Sequence, residues 1–373
     1  MSGQHSLLSP SSAHRWLNCP PSAKLCAEYE DTSSPYAQQG TDAHELCQHK
    51  LELALELDTV DPTPALAYYD EEMETCCSEY AAFVMETVAK IKQVCPDPLV
   101  LIEQRLDFSQ YVPQGFGRGD CVIIADGTMH VIDFKYGVGV LVSAKNNPQM
   151  LCYALGAMAL LDSLYEFDSI CMTIFQPRRE NISSYTISKA DLLHWADTVL
   201  TPTAKLAYAG KGEFKAGDHC QFCKVKATCR KRAEYNLELA RYDFEMPVHL
   251  EPQEIAAILD RLDQLTAWAE DVKDYALTEA LSGTHYEGYK LVAGRAVRKY
   301  ADEAAVATAV KDAGYNPYEP KLLGITAMTR LLGKIKFEEL LGDLVIRPQG
   351  KPVLVKADDK RPEYHSAIID FTD

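Results

Sequence analysis

The chain has 373 residues, 47% of them hydrophobic and 24% charged, with a formal net charge of −17; this is a globular composition, long enough for two domains or for one core with an appendage. No apolar run approaches the roughly 20 residues of a membrane span, and the start Met1-Ser2-Gly3-Gln4-His5 lacks the basic and apolar segments of a secretory signal, so the expected setting is the cytoplasm of a bacterial host with no membrane partner. The acidic balance excludes a protein that coats nucleic acid through its bulk field, but leaves room for a local basic groove.

Residues 9–18 read as a short helix, with Ser9 as cap and Pro10 in its first turn, ended by Cys19-Pro20-Pro21. A polar stretch runs to Gly40, after which Thr41 or Asp42 is the expected cap of a helix to about Leu57. Residues 60–66, with several prolines, read as a loop, and 69–94 as a second helix. Three β-like runs follow over 99–108, 120–125 and 129–134, and Asp126-Gly127 between the last two is a hairpin signal. A helix over 148–161, a strand over 169–175 and a weaker strand over 183–187 come next. Beyond them the pattern predicts a helix over 189–209, a cysteine-bearing segment over 218–232, and a charged amphipathic helix or helix pair over 251–282. The remainder mixes helix with extended pieces, and the stretch from Arg347 reads as loosely structured. The order of elements predicts an α/β fold, a mixed sheet flanked by helices.

Asp120 begins one arm of the predicted hairpin and Asp133 ends the other, so antiparallel pairing brings both carboxylates to one edge. Two such groups repel unless a divalent cation lies between them, and oxygen ligands suit Mg²⁺ or Mn²⁺. Lys135, two positions after Asp133 on a strand, points to the same face. A lysine beside a metal can orient a water and offset charge on a phosphorane-like transition state. On residue types alone, an exposed Asp–Lys pair on a surface strand is the ordinary alternative.

Gly117-x-x-Asp120, Asp133-x-Lys135 and Gln149-x-x-x-Tyr153, with Gly40-x-x-x-His44-Glu45 upstream, together resemble the RecB-like branch of the PD-(D/E)XK nucleases. The resemblance implies a restriction-endonuclease-like core in which His44, Asp120, Asp133 and the main-chain carbonyl of Phe134 hold the metal. Lys135 would handle the attacking water, and Gln149 and Tyr153 would line the site or touch the DNA backbone. Asp133 stands where the branch more often has Glu. Glu103, on the first strand, is either a ligand for a second metal or a solvent-facing strand residue.

Twelve cysteines are too sparse for a secreted disulfide scaffold. Most, such as Cys152 and Cys171, lie among apolar residues as small hydrophobes. Cys220-x2-Cys223-x5-Cys229 has the tight spacing of a metal or cluster site, one ligand short. RecB-like nucleases with a [4Fe–4S] cluster place the fourth cysteine upstream in a Ser-Pro-Ser…Cys-Pro setting, and Ser9-Pro10-Ser11…Cys19-Pro20 resembles it. The resemblance implies a structural staple closing a loop of about two hundred residues. Zn²⁺ on the same thiolates, with His219 as a substitute ligand, stays open, since spacing does not separate the two.

Around the cysteines, Lys224, Lys226, Arg230, Lys231 and Arg232 put five positive charges into nine residues. They, with Arg118, Arg178 and Arg179, are candidate phosphate contacts, with a solvated helix face as the ordinary reading. The basic and aromatic stretch 289–300 is a further nucleic-acid candidate or a packed strand. Gly115-x-Gly117-x-Gly119 precedes a strand instead of joining strand to helix, which rules out a dinucleotide-binding turn. The expected layout is a nuclease domain over 1–233 and an accessory region over 234–373. The expected activity is a metal-dependent DNA nuclease; the whole chain also resembles a phage and prophage family with this core, which implies an exonuclease on linear ends in phage recombination or replication, partnered by a single-strand annealing protein, with an anti-phage or CRISPR-adaptation role as the alternative within the same chemistry. A catalytically silent DNA-binding module is the alternative, and the oligomeric state is open.

Overall fold

The apolar run from Cys121 to Ala125 is buried at every position, which requires a strand covered on both faces. In the computed structural model of the chain, residues 6–30, 34–125, 127–239, 250–293, 300–318, 322–346 and 354–355 are described. That run lies inside a five-stranded sheet made of β1 (Leu99–Asp107), β2 (Phe116–Ala125), β3 (Gly127–Phe134), β4 (Phe167–Gln176) and β5 (Asn181–Ser188), ordered β1-β2-β3-β4-β5. Neighbours are antiparallel except β3 and β4, which run parallel. The hairpin glycine Gly127 takes φ +81°, as such turns require; Asp126 lies outside the described residues.

The helices of the first part are α1 (Ala13–Asn18), α2 (Ser22–Ala27), α3 (Pro35–Ala54), α4 (Glu71–Lys92), α5 (Pro148–Leu161), α6 (Lys189–Trp195), α7 (Thr201–Ala209), α8 (Arg230–Leu237) and α9 (Pro252–Leu281). The crossover that the parallel β3–β4 step demands is α5. Alternation along β2 divides the core in two. Val122 and Ile124 pack with Met129, Val131, Met150 and Leu155, while Cys121 and Ile123 pack with Leu46, Tyr80 and Val84. The sheet therefore lies between α5 on one side and the α3–α4 pair on the other, the mixed, helix-flanked α/β arrangement expected. Leu8 and Trp16, both fully buried, join the α5 side.

Two boundaries differ from expectation for physical reasons. The helix bearing His44 begins at Pro35, where the Ser34 hydroxyl accepts the Ala37 N–H at 3.1 Å. Asp42 is no cap: it is buried and accepts the Tyr68 N–H at 2.8 Å and the Gln38 amide at 2.9 Å. The helical stretch after β5 is not uniform either, since a π-helical turn at Ala196–Leu200 separates α6 from α7.

Residues 1–291 form one compact unit and 292–373 a second. The first takes in α9, whose Asp271 binds Arg232 and Lys226. The second contains α10 (Glu303–Asp312), α11 (Ile325–Leu332) and α12 (Lys334–Leu341). Of the 289–300 stretch, 294–299 lie outside the described residues, as does most of the chain from Arg347. Among the described residues no helix is long and apolar enough to cross a membrane.

Candidate metal centre and thiol site

The hairpin fixes the first carboxylate. Asp120 Oδ2 accepts the main-chain N–H of Phe134 at 2.7 Å, tying β2 to the end of β3, and its Oδ1 lies 3.3 Å from Nδ1 of His44 on α3. Flanking register pairs Ile102 with Cys121 and Gln104 with Gly119, which sets Glu103 opposite Asp120. Glu103 is held there at φ +48°, a left-handed conformation that costs a non-glycine residue about 1–3 kcal/mol. Ligand atoms of His44, Glu103 and Asp120 all lie within 4.8 Å of one another, the one such group among the described residues. Glu103, left undecided by its residue type, belongs to the centre.

Asp133 stands beside that group. Its Oδ1 accepts the Gln149 side-chain amide at 3.3 Å, and its Oδ2 is 2.9 Å from Lys135 Nζ. Oδ2 is buried yet has no partner in hydrogen-bond geometry; the contact is a charge pair that leaves lone pairs unspent. Gln149 is placed by the start of α5, where Asn147 caps the Gln149 and Met150 N–H groups and Pro148 fills the first turn. One turn later the Tyr153 hydroxyl accepts from Gln149 at 3.1 Å. His44, Asp120, Asp133, Lys135, Gln149 and Tyr153 thus form one connected patch.

Burial disfavours charge on His44, but Asp120 beside it outweighs this and lifts the imidazole to about 9. Burial also opposes the Asp120 carboxylate, yet His44, Lys135 and the Phe134 N–H together hold it below the usual range. Burial, then repulsion by Asp120, pushes Glu103 up to about 7 against the pull of His44 and Arg118. Partial burial opposes the charge on Lys135 as well, and Asp133 and Asp120 more than compensate, so it keeps its proton. The metal-free site at neutral pH therefore holds protons that a dication would displace.

The thiol site forms where the N-terminal segment meets the cysteine-bearing one. Cys19, Cys220, Cys223 and Cys229 line one cavity with Arg15 and His219. No three of their Sγ atoms come within 4.8 Å of one another. Cys223 instead has its sulfur 3.6 Å from that of Cys26, a residue with no spacing signal. Nε2 of His219 is already engaged, 2.8 Å from the Lys215 carbonyl.

The basic run divides. Arg232 is buried and pairs with Asp271 at 2.6 Å, and Lys226 reaches the same carboxylate at 2.6 Å. Asp271 of α9 thus engages both of these candidate phosphate contacts, Arg232 from α8 and Lys226 from the stretch before it. Lys224 donates to the Tyr29 carbonyl, Arg178 pairs with Glu72 over the Tyr136 ring, and Arg179 donates to the Val138 carbonyl. Arg230 and Lys231 face solvent, Lys231 near Glu234 at 3.6 Å. Arg118 is exposed at the edge of the metal centre, 3.7 Å from Glu103.

A family model described as "Protein of unknown function (DUF2800)" matches residues 5–362. The chain belongs to the DUF2800 family. A solved structure titled "Crystal structure of SSO0001" matches 52% of this DUF2800 chain and 98% of its own at 14% identity, with a TM-score of 0.23; at that score the likeness decides nothing about fold or site. What defines this DUF2800 chain chemically is the pair of sites just described. The metal centre draws on α3, β1, β2, β3 and α5. The thiol site joins the N-terminal segment to the stretch just before α8.

Proposed function

We propose that this chain is a metal-dependent DNA nuclease with a PD-(D/E)XK-type core, acting on the ends of linear DNA. The observation that carries the reading is the convergence of His44, Glu103 and Asp120 within 4.8 Å, beside an Asp133–Lys135 pair on the next strand. One imidazole among carboxylates suits Mn²⁺ or Mg²⁺. His44, Glu103 and Asp120 would hold the ion, with the unspent Oδ2 of Asp133 and the Phe134 carbonyl available to complete its shell. Bound there, a dication lowers the pKa of a coordinated water and neutralises phosphate charge.

The chain's own groups supply the rest. Lys135, protonated beside Asp133, is a donor for a phosphoryl oxygen and a fixed charge toward developing negative charge. Gln149 locks the Asp133 carboxylate, and Tyr153 locks Gln149. Arg118, exposed at the rim 3.7 Å from Glu103, is a candidate phosphate contact there. The sequence resemblance supplies the setting: resection of linear ends in phage recombination, with a single-strand annealing protein as partner.

At the thiol site we infer a structural [4Fe–4S] cluster on Cys19, Cys220, Cys223 and Cys229. A single tetrahedral zinc, with Zn–S of about 2.3 Å, needs thiolates about 3.8 Å apart. The four thiols line one cavity, and the resemblance of Ser9-Pro10-Ser11…Cys19-Pro20 with Cys220-x2-Cys223-x5-Cys229 to cluster-bearing RecB-like nucleases favours the cluster over zinc.

The test is degradation of end-labelled linear and closed circular DNA with Mn²⁺ or Mg²⁺, using protein purified without oxygen, beside Lys135→Ala. The expected result is metal-dependent loss of linear DNA only, abolished in the variant. Wild type and variant equally inert, with both still binding DNA, would replace catalysis by a binding module.

A further inference from the structure

A fifth thiol stands at the thiol site and has no place in a four-ligand reading. Cys26, in α2, is 4% exposed, and its Sγ lies 3.6 Å from that of Cys223. The contact is held by docked backbone on both sides. Lys224, the next residue after Cys223, donates from Nζ to the Tyr29 carbonyl at 2.6 Å, just beyond the end of α2. Arg15 braces the start of α2, its Nη1 donating to the Ser22 carbonyl at 2.7 Å and to the Ser22 hydroxyl at 3.1 Å. A disulfide needs sulfurs about 2.05 Å apart, so the pair has only to close by about 1.5 Å.

We propose that Cys26 and Cys223 form a reversible disulfide in the cluster-free protein. The bond joins residues 197 apart in sequence and closes covalently the loop that the cluster otherwise closes. It also occupies Cys223, so that cluster assembly requires a reductant first. That consequence rests on the reading of Cys223 as a cluster ligand; the disulfide itself does not.

The chemistry is thiol–disulfide exchange with a low-molecular-weight disulfide such as oxidised glutathione. One protein thiolate attacks the small disulfide, releases one small thiol and is left in a mixed disulfide. The second protein thiolate attacks the protein sulfur of that adduct and expels the other small thiol. Two protein thiols are oxidised, one small disulfide is reduced to two thiols, and the two protons leave on those thiols.

The experiment uses the full chain, stripped of iron by a chelator without oxygen, reduced, then exposed to oxidised glutathione. Remaining thiols are alkylated and the peptides mapped. The expected result is loss of two of the twelve thiols and a cross-linked peptide pairing Cys26 with Cys223. Unfolding midpoints should rise on oxidation of the wild type and stay unchanged in Cys26→Ala. Iron and sulfide should then restore the cluster's visible absorbance in oxidised wild type only after a dithiol is added, and in Cys26→Ala without one. A bond between Cys220 and Cys223, or no thiol consumed, overturns the proposal. If Cys26 and Cys223 cross-link but no variant takes up iron, the disulfide stands and the cluster reading fails.

Discussion

The main-chain N–H of Phe134 donates to Oδ2 of Asp120 at 2.7 Å, while Oδ1 of the same carboxylate faces His44 at 3.3 Å. One side chain therefore fastens the hairpin and orients the metal centre. Asp120→Asn keeps an acceptor for Phe134 but loses the charge. It should fold like wild type and lose activity by about 10²-fold or more, the scale for removing one electrostatic contact at a reacting phosphate. Asp120→Ala should lose activity and also lower the unfolding midpoint. Rates on end-labelled DNA and thermal denaturation, run together, check both.

Metal binding should release protons. His44 sits at about 9 and Glu103 at about 7, so at pH 7 a dication displaces a proton from the first and part of one from the second. Titration calorimetry with Mn²⁺ in two buffers of different ionisation enthalpy should show net release, with affinity rising as the pH climbs toward 9. Both groups are raised above their unfolded values, so what they contribute to stability is present at low pH and lost as the pH rises through about 7 and then about 9. The metal-free protein should unfold more easily at pH 9 than at pH 6, and Mn²⁺ should erase much of that difference.

Gly117 is a packing requirement that reaches the site. A Cβ there would stand 2.7 Å from Cγ of Pro10 and 2.8 Å from Cε1 of Tyr153. Gly117→Ala should cost about 1–3 kcal/mol in chemical denaturation. It should also slow the nuclease, because the displaced ring is the one that holds Gln149.

Arg232 is a structural cation. Removing it leaves Asp271 with Lys226 alone, so Arg232→Ala should destabilise by about 3 kcal/mol, the lower end for a broken buried pair. Its affinity for DNA should not change in the range where the fold persists. Arg118→Ala should do the opposite, weakening DNA binding with stability intact, and a salt series of binding constants separates the two.

The hairpin and its two aspartates were legible because every signal lies within fifteen or so residues: apolar runs, an Asp-Gly turn and strand parity. The start of the His44 helix was not, because Asp42, a good cap by type, is claimed by the backbone of Tyr68 from a distant loop. Glu103 was undecided for a similar reason. Its place in the centre depends on a positive φ and on the partner strand's register, neither visible in its own neighbourhood. The carboxylate that meets Lys226 and Arg232 was not visible in the basic run, because Asp271 comes about forty residues later. Cys26 has no spacing signal at all, and only the docking of α2 brings it to Cys223.

Leu8 and Trp16 are sealed inside the same core as α5, and α1 and α2 pack on α7. During synthesis these residues leave the ribosome well before α7, which follows some 190 residues later, about 10–40 s at 5–20 residues per second. For that interval the N-terminal segment carries an uncovered tryptophan and two unpaired cysteines. This segment thus waits for partners made long after it, and folding of the first unit joins stretches some 190 residues apart more than it grows outward from one of them.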